Sequence, residues 1–488
     1  MQFLVRFFPE ITIKTRPVRK RFIKILRRNL RTLLSRLDKD VQVMGDWDIL
    51  EITTQRSGER AAAEFMEVLT CTPGLSVVMK VQKLPLTDFD QMVESLLPIH
   101  QKQLPGRTFA VRCKRQGSHS FNSVDVERHI GAALIERCKP AGVDLSNPQI
   151  TVRLEIRHND LYVVEEFRRG LGGYPLGTQE AVLSLISGGF DSAVSSYRCI
   201  KRGLLTHYLF FNLGGKAHEL AVKELAVYLW LRYGASQRVK FIRVPFEGVV
   251  EEILTRVDNS QMGVVLKRMM MRAAGRVADS LQVDALVTGE SVAQVSSQTL
   301  PNLALIDRVT DKLVLRPLIT SDKQEIIDIA RAIGTEEFSK NVPEYCGVIS
   351  VKPTTRARLE RIEAEEARMD MSILDMAVSN REVQRIDRVV EGLGHFAVEP
   401  DEYASVPAQA TVLDIRHPDE QDRSPLRLRG ADASADVVHM PFYQLRSQFT
   451  ALDPERQYLL YCDKGIMSRL HASHLKDAGH RNVAVYRP

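Results

Sequence analysis

The stretch that most constrains this chain is Val182–Ser192, which reads Val-Leu-Ser-Leu-Ile-Ser-Gly-Gly-Phe-Asp-Ser. Its apolar opening predicts one buried strand, Gly188 and Gly189 a tight turn, and Ala193–Arg202 the helix that follows. Glycine at such a turn lets the backbone approach a ligand, and the free N–H groups of a helix start point at whatever sits there. The hydroxyls of Ser187 and Ser192 add two donors. This is an anion cradle, with a phosphate chain as its favoured occupant. Asp191 is either part of that cradle or the cap of the helix.

The surrounding sequence repeats the strand-then-helix pattern. Apolar runs at Leu183–Ile186, His207–Phe211, Val239–Val244, Ala285–Thr288 and Lys312–Leu315 predict strands with helices between them. Such alternation implies a doubly wound parallel sheet covered on both faces, with ligands at the carboxyl ends of its strands. Three further pieces fall on that same edge. Lys267-Arg268 lies on a helix, Gly263–Leu281; Gly289-Glu290-Ser291, then Gln294 and Ser297-Gln298-Thr299, follow a strand; Arg316-Pro317-Leu318 precedes a helix start carrying Lys323. Together with the first loop they predict a polar rim around one pocket.

At 488 residues the chain is too long for a single core and implies three or four domains. Charge divides it further. Residues 1–40 hold twelve Lys and Arg against three Asp and Glu, a local excess of +9 in a chain of net charge +6. A basic end on a near-neutral body points to an anionic polymer partner. Within it, Val18–Leu37 reads as a helix with Phe22, Leu26, Leu30, Leu33 and Leu37 on one side and Arg21, Lys24, Arg28 and Arg31 on the other. Such a helix can lie on a membrane, but the strand-like Phe3–Phe8 beside it favours a packed helix in a small α+β unit. No apolar run reaches the ~20 residues of a membrane span, and Arg6 interrupts what would be a signal-peptide core. Six cysteines without a Cys-x-x-Cys pair argue against a disulfide framework and a structural zinc site, so no metal-ligating cluster is expected and a cytoplasmic location is.

In the second unit, Ala61–Leu69 reads as a helix, and Phe109, Val111 and Cys113 alternate with Arg112 and Lys114, giving a strand with one apolar and one basic face. Arg168–Thr178, with four glycines and a proline, is the clearest linker. Residues 352–394 read as a connector of charged helices with a solvated surface around Glu363–Glu366. In the tail, strands at Thr411–Ile415 and Gln457–Tyr461 precede a helix. Cys462 sits between the second strand and that helix, where N–H groups and the helix dipole favour a sulfur anion. Cys71, Cys113, Cys138 and Cys199 fall in helix or strand patterns and are expected in the core.

The Ser-Gly-Gly-Phe-Asp-Ser loop resembles that of the PP-loop ATP pyrophosphatases, FAVRCKRQGSHSFNS resembles the RNA-binding THUMP domain, and the Cys462 loop resembles a rhodanese domain. With SLISGGFDS, VTGESVAQVSSQT and RPLITSDKQEI, the chain resembles one family over essentially its whole length: the tRNA 4-thiouridine synthetases, or tRNA sulfurtransferases. That resemblance implies an α/β multidomain chain. Residues 1–60 would be an N-terminal ferredoxin-like α+β unit, 61–167 a THUMP α/β domain, 168–394 a PP-loop adenylation domain with helical connector, and 395–488 a rhodanese-like α/β domain. It further implies that Ser187, Gly188, Gly189 and Ser192 hold the pyrophosphate portion of ATP and that Asp191 helps place Mg²⁺. By the same carry-over Leu185, Ile186, Lys267, Gly289 and Gln298 line the ATP site and Lys323 supports adenylation. Cys462 would carry a persulfide and pair with Cys346 as a transient disulfide, while Lys114, Arg115 and His119 become candidate RNA contacts. The expected partners are tRNA, a cysteine desulfurase as sulfur donor and the sulfur-carrier protein of thiamine synthesis, with no membrane. The expected activity is ATP-dependent thiolation of a tRNA uridine; a PP-loop ligase acting on a small molecule without RNA is the alternative.

Overall fold

The computed structural model describes all residues except 46, 214, 341–352, 394–399, 417, 427, 429–434, 442–444, 446, 447, 464 and 478. The chain forms two compact units, Met1–Pro175 and Leu176–Pro488.

In the first unit the described strands β1 (Gln2–Phe7), β2 (Gln42–Met44), β3 (Ile49–Thr53), β4 (Leu75–Pro85), β5 (Thr108–Gln116), β6 (Gly142–Val143), β7 (Ile150–Arg157) and β8 (Asp160–Arg169) make one sheet, ordered β2-β3-β1-β4-β8-β7-β5-β6. Alternation along β1 turns Phe3, Val5 and Phe7 toward two helices, Arg16–Leu34 and Glu59–Thr70. Phe22, Ile23, Leu26, Leu30 and Leu34 of the first and Phe65, Met66 and Leu69 of the second complete this core. The basic amphipathic helix is therefore a packed one. Its apolar row follows i, i+4 spacing to its end at Leu34, so Leu33 and Leu37 are only partly covered. Arg21, Lys24, Arg28 and Arg31 face outward as expected. Arg19, Arg27 and Arg31 also donate to the carbonyls of Trp47, Gly45 and Val43, fastening the helix to β2 and to the connection that follows it.

A second core lies over β5, β7 and β8, where Phe109, Val111, Cys113, Val152, Leu154 and Ile156 meet the helices Phe89–His100 and Ser123–Cys138. Asn122 and Asp125 close a capping box at the start of the latter. The long strands β4 and β8 bind the two cores into one sheet, because β4 pairs with β1 on one side and β8 on the other. The glycine-rich stretch expected as a linker is pinned rather than loose. Gly170 and Gly172 donate to Ser76 and Leu75 carbonyls, and Tyr174 is buried in the first core.

In the second unit, β9 (Ala181–Leu185), β10 (Leu205–Asn212), β11 (Lys240–Pro245), β12 (Ala285–Val287), β13 (Leu313–Leu315) and β14 (Glu382–Arg385) form a sheet ordered β13-β12-β9-β10-β11-β14. The five strands expected there are all present, and their pairings are parallel. β14 was not expected. It comes from the supposed all-helical connector and pairs antiparallel with β11 at the sheet edge. Its sequence, Glu-Val-Gln-Arg, has too little apolar alternation to announce a strand, and the open edge of β11 supplies the hydrogen bonds instead. The connector's acidic run is only partly a solvated face: Glu363 is exposed as expected, but Glu365 and Glu366 are buried in ion pairs. Arg268 grips Glu366 with two hydrogen bonds of 2.6 and 3.0 Å, and Arg272 adds a third of 2.8 Å. This fastens helix Leu359–Glu366 to helix Met262–Leu281.

Toward the end of the chain, β15 (Glu402–Tyr403), β16 (Thr411–Asp414), β17 (Asp436–His439), β18 (Tyr458–Tyr461) and β19 (Val483–Tyr486) form a parallel sheet, ordered β15-β19-β18-β16-β17. Among the described residues no helix is long and apolar enough to cross a membrane.

Candidate functional site

The carboxyl end of β9 opens into the glycine turn. Gly188 has φ 91°, a left-handed value that a side chain would strain. Gly189 then caps helix Phe190–Lys201 with no side-chain hydrogen bond. The helix starts three residues before the Ala193 expected from the apolar pattern, so Asp191 is not its cap but stands in its first turn, where the dipole favours a negative charge. Ser192, buried, folds the loop back on itself. Its Oγ accepts from Ser187 N–H at 3.2 Å, lies 3.3 Å from Ser187 Oγ and donates to Gly189 O at 3.0 Å. His218 Nε2 donates to the Ser187 carbonyl at 3.0 Å. Burial holds its pKa below the ordinary histidine value, against the opposing pull of that bond.

Asp191 is held on both oxygens. Lys323 Nζ meets Oδ1 at 2.9 Å, and Gln294 Nε2 donates to Oδ2 at 2.8 Å. Lys323 opens helix Lys323–Ile333, whose cap Asp322 accepts from Glu325 N–H, and its Nζ also sits 5.4 Å from the Phe190 ring centre. The loop after β12 presses against the glycine turn. A Cβ on Gly289 would stand 2.6 Å from Asp191 C, 2.7 Å from its O and 2.8 Å from Ser192 N. Only glycine fits there.

One residue on, Glu290 is buried between Lys267 and Arg316, each 2.8 Å away, and accepts from Thr288 Oγ1 at 3.1 Å. Burial alone would raise its pKa, but the two cations hold it below the usual carboxylate value. Arg316 also forks onto Asp307 at 2.9 and 2.5 Å, and Ser291 Oγ ties this loop to the Ser321 carbonyl at 2.7 Å.

These groups surround a cavity of about 530 Å³, a volume suited to a small organic ligand. Leu185, Ile186, Leu209, Phe211, Met270 and Met271 give it an apolar wall. Ser187, Gly189, Asp191, Ser192, Lys267, Gly289, Glu290, Gln294 and Gln298 give it a polar rim. One cavity thus gathers sequence-selected residues from 185 to 298, while Gly188 shapes its turn and Lys323 reaches it through Asp191. Such a site can seat a planar apolar group against one wall and a polyanion at the helix start. Sequence reasoning missed His218 and the roles of Glu290 and Gln294. A lone histidine on a helix carries no signal, and the other two were visible only inside a longer polar string.

Cys462 follows β18 and precedes helix Ile466–Asp477. Its sulfur accepts from Ser468 N–H at 3.3 Å and its thiol reaches Ser468 Oγ at 3.5 Å, while Gly465 at φ 69° makes the turn between them. A backbone N–H from the first turn of the helix, that of Ser468, thus points at this sulfur. The adjoining Asp463 accepts from Tyr461 OH at 2.9 Å and from buried Arg416 at 3.1 Å. Cys346 lies outside the described residues. Cys113, Cys138 and Cys199 are buried and Cys71 partly so; burial pushes the thiols of Cys113 and Cys199 up to about 12, out of reach of thiolate chemistry.

In the first unit Lys114 is exposed. Arg115 donates to Gly117 O at 3.1 Å and to His119 Nδ1 at 2.9 Å, while His119 Nε2 donates to His158 O at 2.7 Å and its ring stacks on Phe121. Arg115 and His119 therefore build the turn itself.

Family comparisons cover three parts of the chain. Residues 2–78 match the ThiI ferredoxin-like domain, 87–164 the THUMP domain and 177–371 the thiamine biosynthesis protein ThiI. Proteins called tRNA sulfurtransferase from Pseudomonas putida and Azotobacter vinelandii are each 55% identical over 488 residues, covering 100% of both chains. A crystal structure of a 4-thiouridine synthetase–RNA complex with bound ATP superposes with TM-score 0.68 at 26% identity, covering 79% of this chain and 99% of that one.

Proposed function

The chain belongs to the tRNA sulfurtransferase (ThiI) family, and from that premise we propose that it moves sulfur from a persulfide on Cys462 to C4 of uridine 8 in tRNA through an adenylated intermediate. The observation that carries this reading is the meeting of Asp191 and Lys323, 132 residues apart in sequence, at the mouth of a glycine turn that opens onto a cavity.

A uracil carbonyl is a poor electrophile because its oxygen leaves badly. In the proposed first step O4 attacks the α-phosphorus of ATP, the O4–P bond forms, the bond to the β-phosphate oxygen breaks and pyrophosphate departs. Ser187, Gly188, Gly189 and Ser192 hold the departing pyrophosphate, and Lys323 offsets charge as it develops. Leu185, Ile186, Lys267, Gly289 and Gln298 shape the nucleotide's seat. The Asp191 carboxylate and the two serine hydroxyls are hard oxygen donors of the kind Mg²⁺ takes, and the ion would supply neutralisation of phosphate charge. In the second step sulfur bonds to C4 and AMP leaves with the original oxygen. Cys346 then attacks the Cys462 sulfur, releasing the thiolated base and leaving a disulfide for an external thiol to reduce.

The tail is read as rhodanese-like, on the strength of its parallel sheet and of the sulfur set at a helix start. A cysteine desulfurase is the proposed donor, and the same persulfide would serve the sulfur carrier of thiamine synthesis. The first unit supplies phosphate and shape contacts to the RNA.

The test is transfer of radiolabelled sulfur into purified tRNA with ATP, Mg²⁺ and a desulfurase, for wild type and Cys462→Ser. Label in tRNA that needs both ATP and Cys462 supports the reading. ATP cleavage with unlabelled RNA sinks it in favour of a small-molecule ligase.

A further inference from the structure

Among the described residues the Asp191 carboxylate has two hydrogen-bonding partners, and only one of them, Lys323, enters the reaction as proposed. The other is Gln294. Its amide must present Nε2 to the carboxylate, since the amide oxygen would be repelled, and the 2.8 Å contact is of hydrogen-bond length. The backbone that delivers it is bent to do so. Ala293 has φ 63°, a left-handed conformation that a residue with a Cβ keeps only when its surroundings impose it. Three backbone bonds impose it here: Val292 N–H to Ile319 O at 3.0 Å, Ala293 N–H to Gln298 O at 3.0 Å and Gln294 N–H to Ser291 O at 3.3 Å.

The two partners hold Asp191 differently. Lys323 carries a compact charge on a long stem whose side chain is 41% exposed, and a rotating ammonium attracts a carboxylate without fixing its plane. A planar amide on a pinned loop does fix it. Being neutral, it also leaves the negative charge of Asp191 intact toward the phosphate loop, which a second cation would cancel.

We propose that Gln294 is a positioning residue for the ATP-dependent step: it orients Asp191 at the phosphate loop, and the left-handed turn at Ala293 exists to aim it. The proposal rests on the reading that Asp191 works at that loop.

The test uses the full chain and purified tRNA. Gln294→Met keeps the length of the side chain and removes the donor; Gln294→Glu keeps the shape and sets a second carboxylate against the first. For Gln294→Met, kcat should fall roughly ten- to hundredfold, the range for a lost hydrogen bond to a charged group. Gln294→Glu should fall further, and both should keep the wild-type KM for ATP and tRNA and melt within a few degrees of wild type. In an Asp191→Asn background, read under single-turnover conditions, Gln294→Met should change the rate by less than about threefold, because the pair acts as a unit. Wild-type kcat in Gln294→Met beside an impaired Asp191→Asn overturns the proposal and spares the phosphate-loop reading. Full activity in Asp191→Asn overturns that reading itself. A raised KM for ATP with kcat intact, or losses that track a lowered Tm, also overturn the positioning role.

Discussion

Replacing Gly289 with alanine is the smallest change that should disable the ATP site. The new Cβ would lie 2.6 Å from Asp191 C, 2.7 Å from its O and 2.8 Å from Ser192 N, where ordinary contact begins at 3.4 Å. The atoms in its way are backbone, so no side chain can rotate aside, and one of the two loops must retreat by up to 0.8 Å, the gap between 2.6 and 3.4 Å. Overpacking of this kind costs about 1–3 kcal/mol of stability. The larger effect is on rate, since a displacement approaching 1 Å in a reacting constellation can cost about 10²-fold. The assay is kcat for ATP-dependent tRNA thiolation, with Tm measured alongside. A Gly289→Ala enzyme that folds, melts within a few degrees of wild type and is slowed about a hundredfold fits the geometry. Wild-type turnover would refute the claim that these two loops touch in the working enzyme.

Other changes separate stability from chemistry. Glu290→Ala leaves Lys267 and Arg316 facing each other in a buried site, and loss of one partner from such a pair typically costs about 3–5 kcal/mol, read as a lower urea midpoint. Lys323→Gln should do the reverse: its partly exposed pair with Asp191 is worth at most about 1 kcal/mol to folding, yet thiolation should fall by about two orders of magnitude with the loss of a charge stabiliser. Histidine burial predicts a pH effect. His207 accepts the Lys240 N–H at 3.0 Å, and burial, helped by the Lys240 charge, lowers its pKa to about 4. The unfolded chain takes up that proton near 6.5 and the folded chain does not, so stability is complete above about 6.5 and declines toward pH 4. The loss is about 3 kcal/mol over the ~2.5 pH units between 6.5 and about 4, at about 1.36 per unit, and His207→Asn should flatten that limb of a urea-midpoint profile.

What was legible from the sequence is what depends on near neighbours. The strand, glycine pair and helix around Ser187–Ser192 are contiguous, and so are the alternating faces of β5. Residues with exact spacing requirements announced themselves. What escaped depends on partners far along the chain. Resemblance places Gly289 at the ATP site, but why it must be glycine shows only when Asp191, 98 residues earlier, is seen against it. Glu366 reads as surface charge until Arg268 and Arg272 enclose it. β14 has no apolar pattern and is a strand only because β11 has an open edge. The single sheet of the first unit depends on how far β4 and β8 run, which composition does not encode. The helix start at Phe190 was missed because hydrophobic periodicity reports the buried face of a helix, not its first turn.

The central claim is that AMP is transferred to the uridine oxygen before sulfur arrives. It can be read from the fate of one atom. A tRNA carrying ¹⁸O at O4 of the target uridine is thiolated by the enzyme with unlabelled ATP, and the released AMP is weighed by mass spectrometry. The account predicts AMP heavier by one ¹⁸O, in step with thiolated base, and both formed far more slowly by Asp191→Asn. Unlabelled AMP beside fully thiolated tRNA would mean that ATP is spent elsewhere, and would contradict the mechanism at its first step.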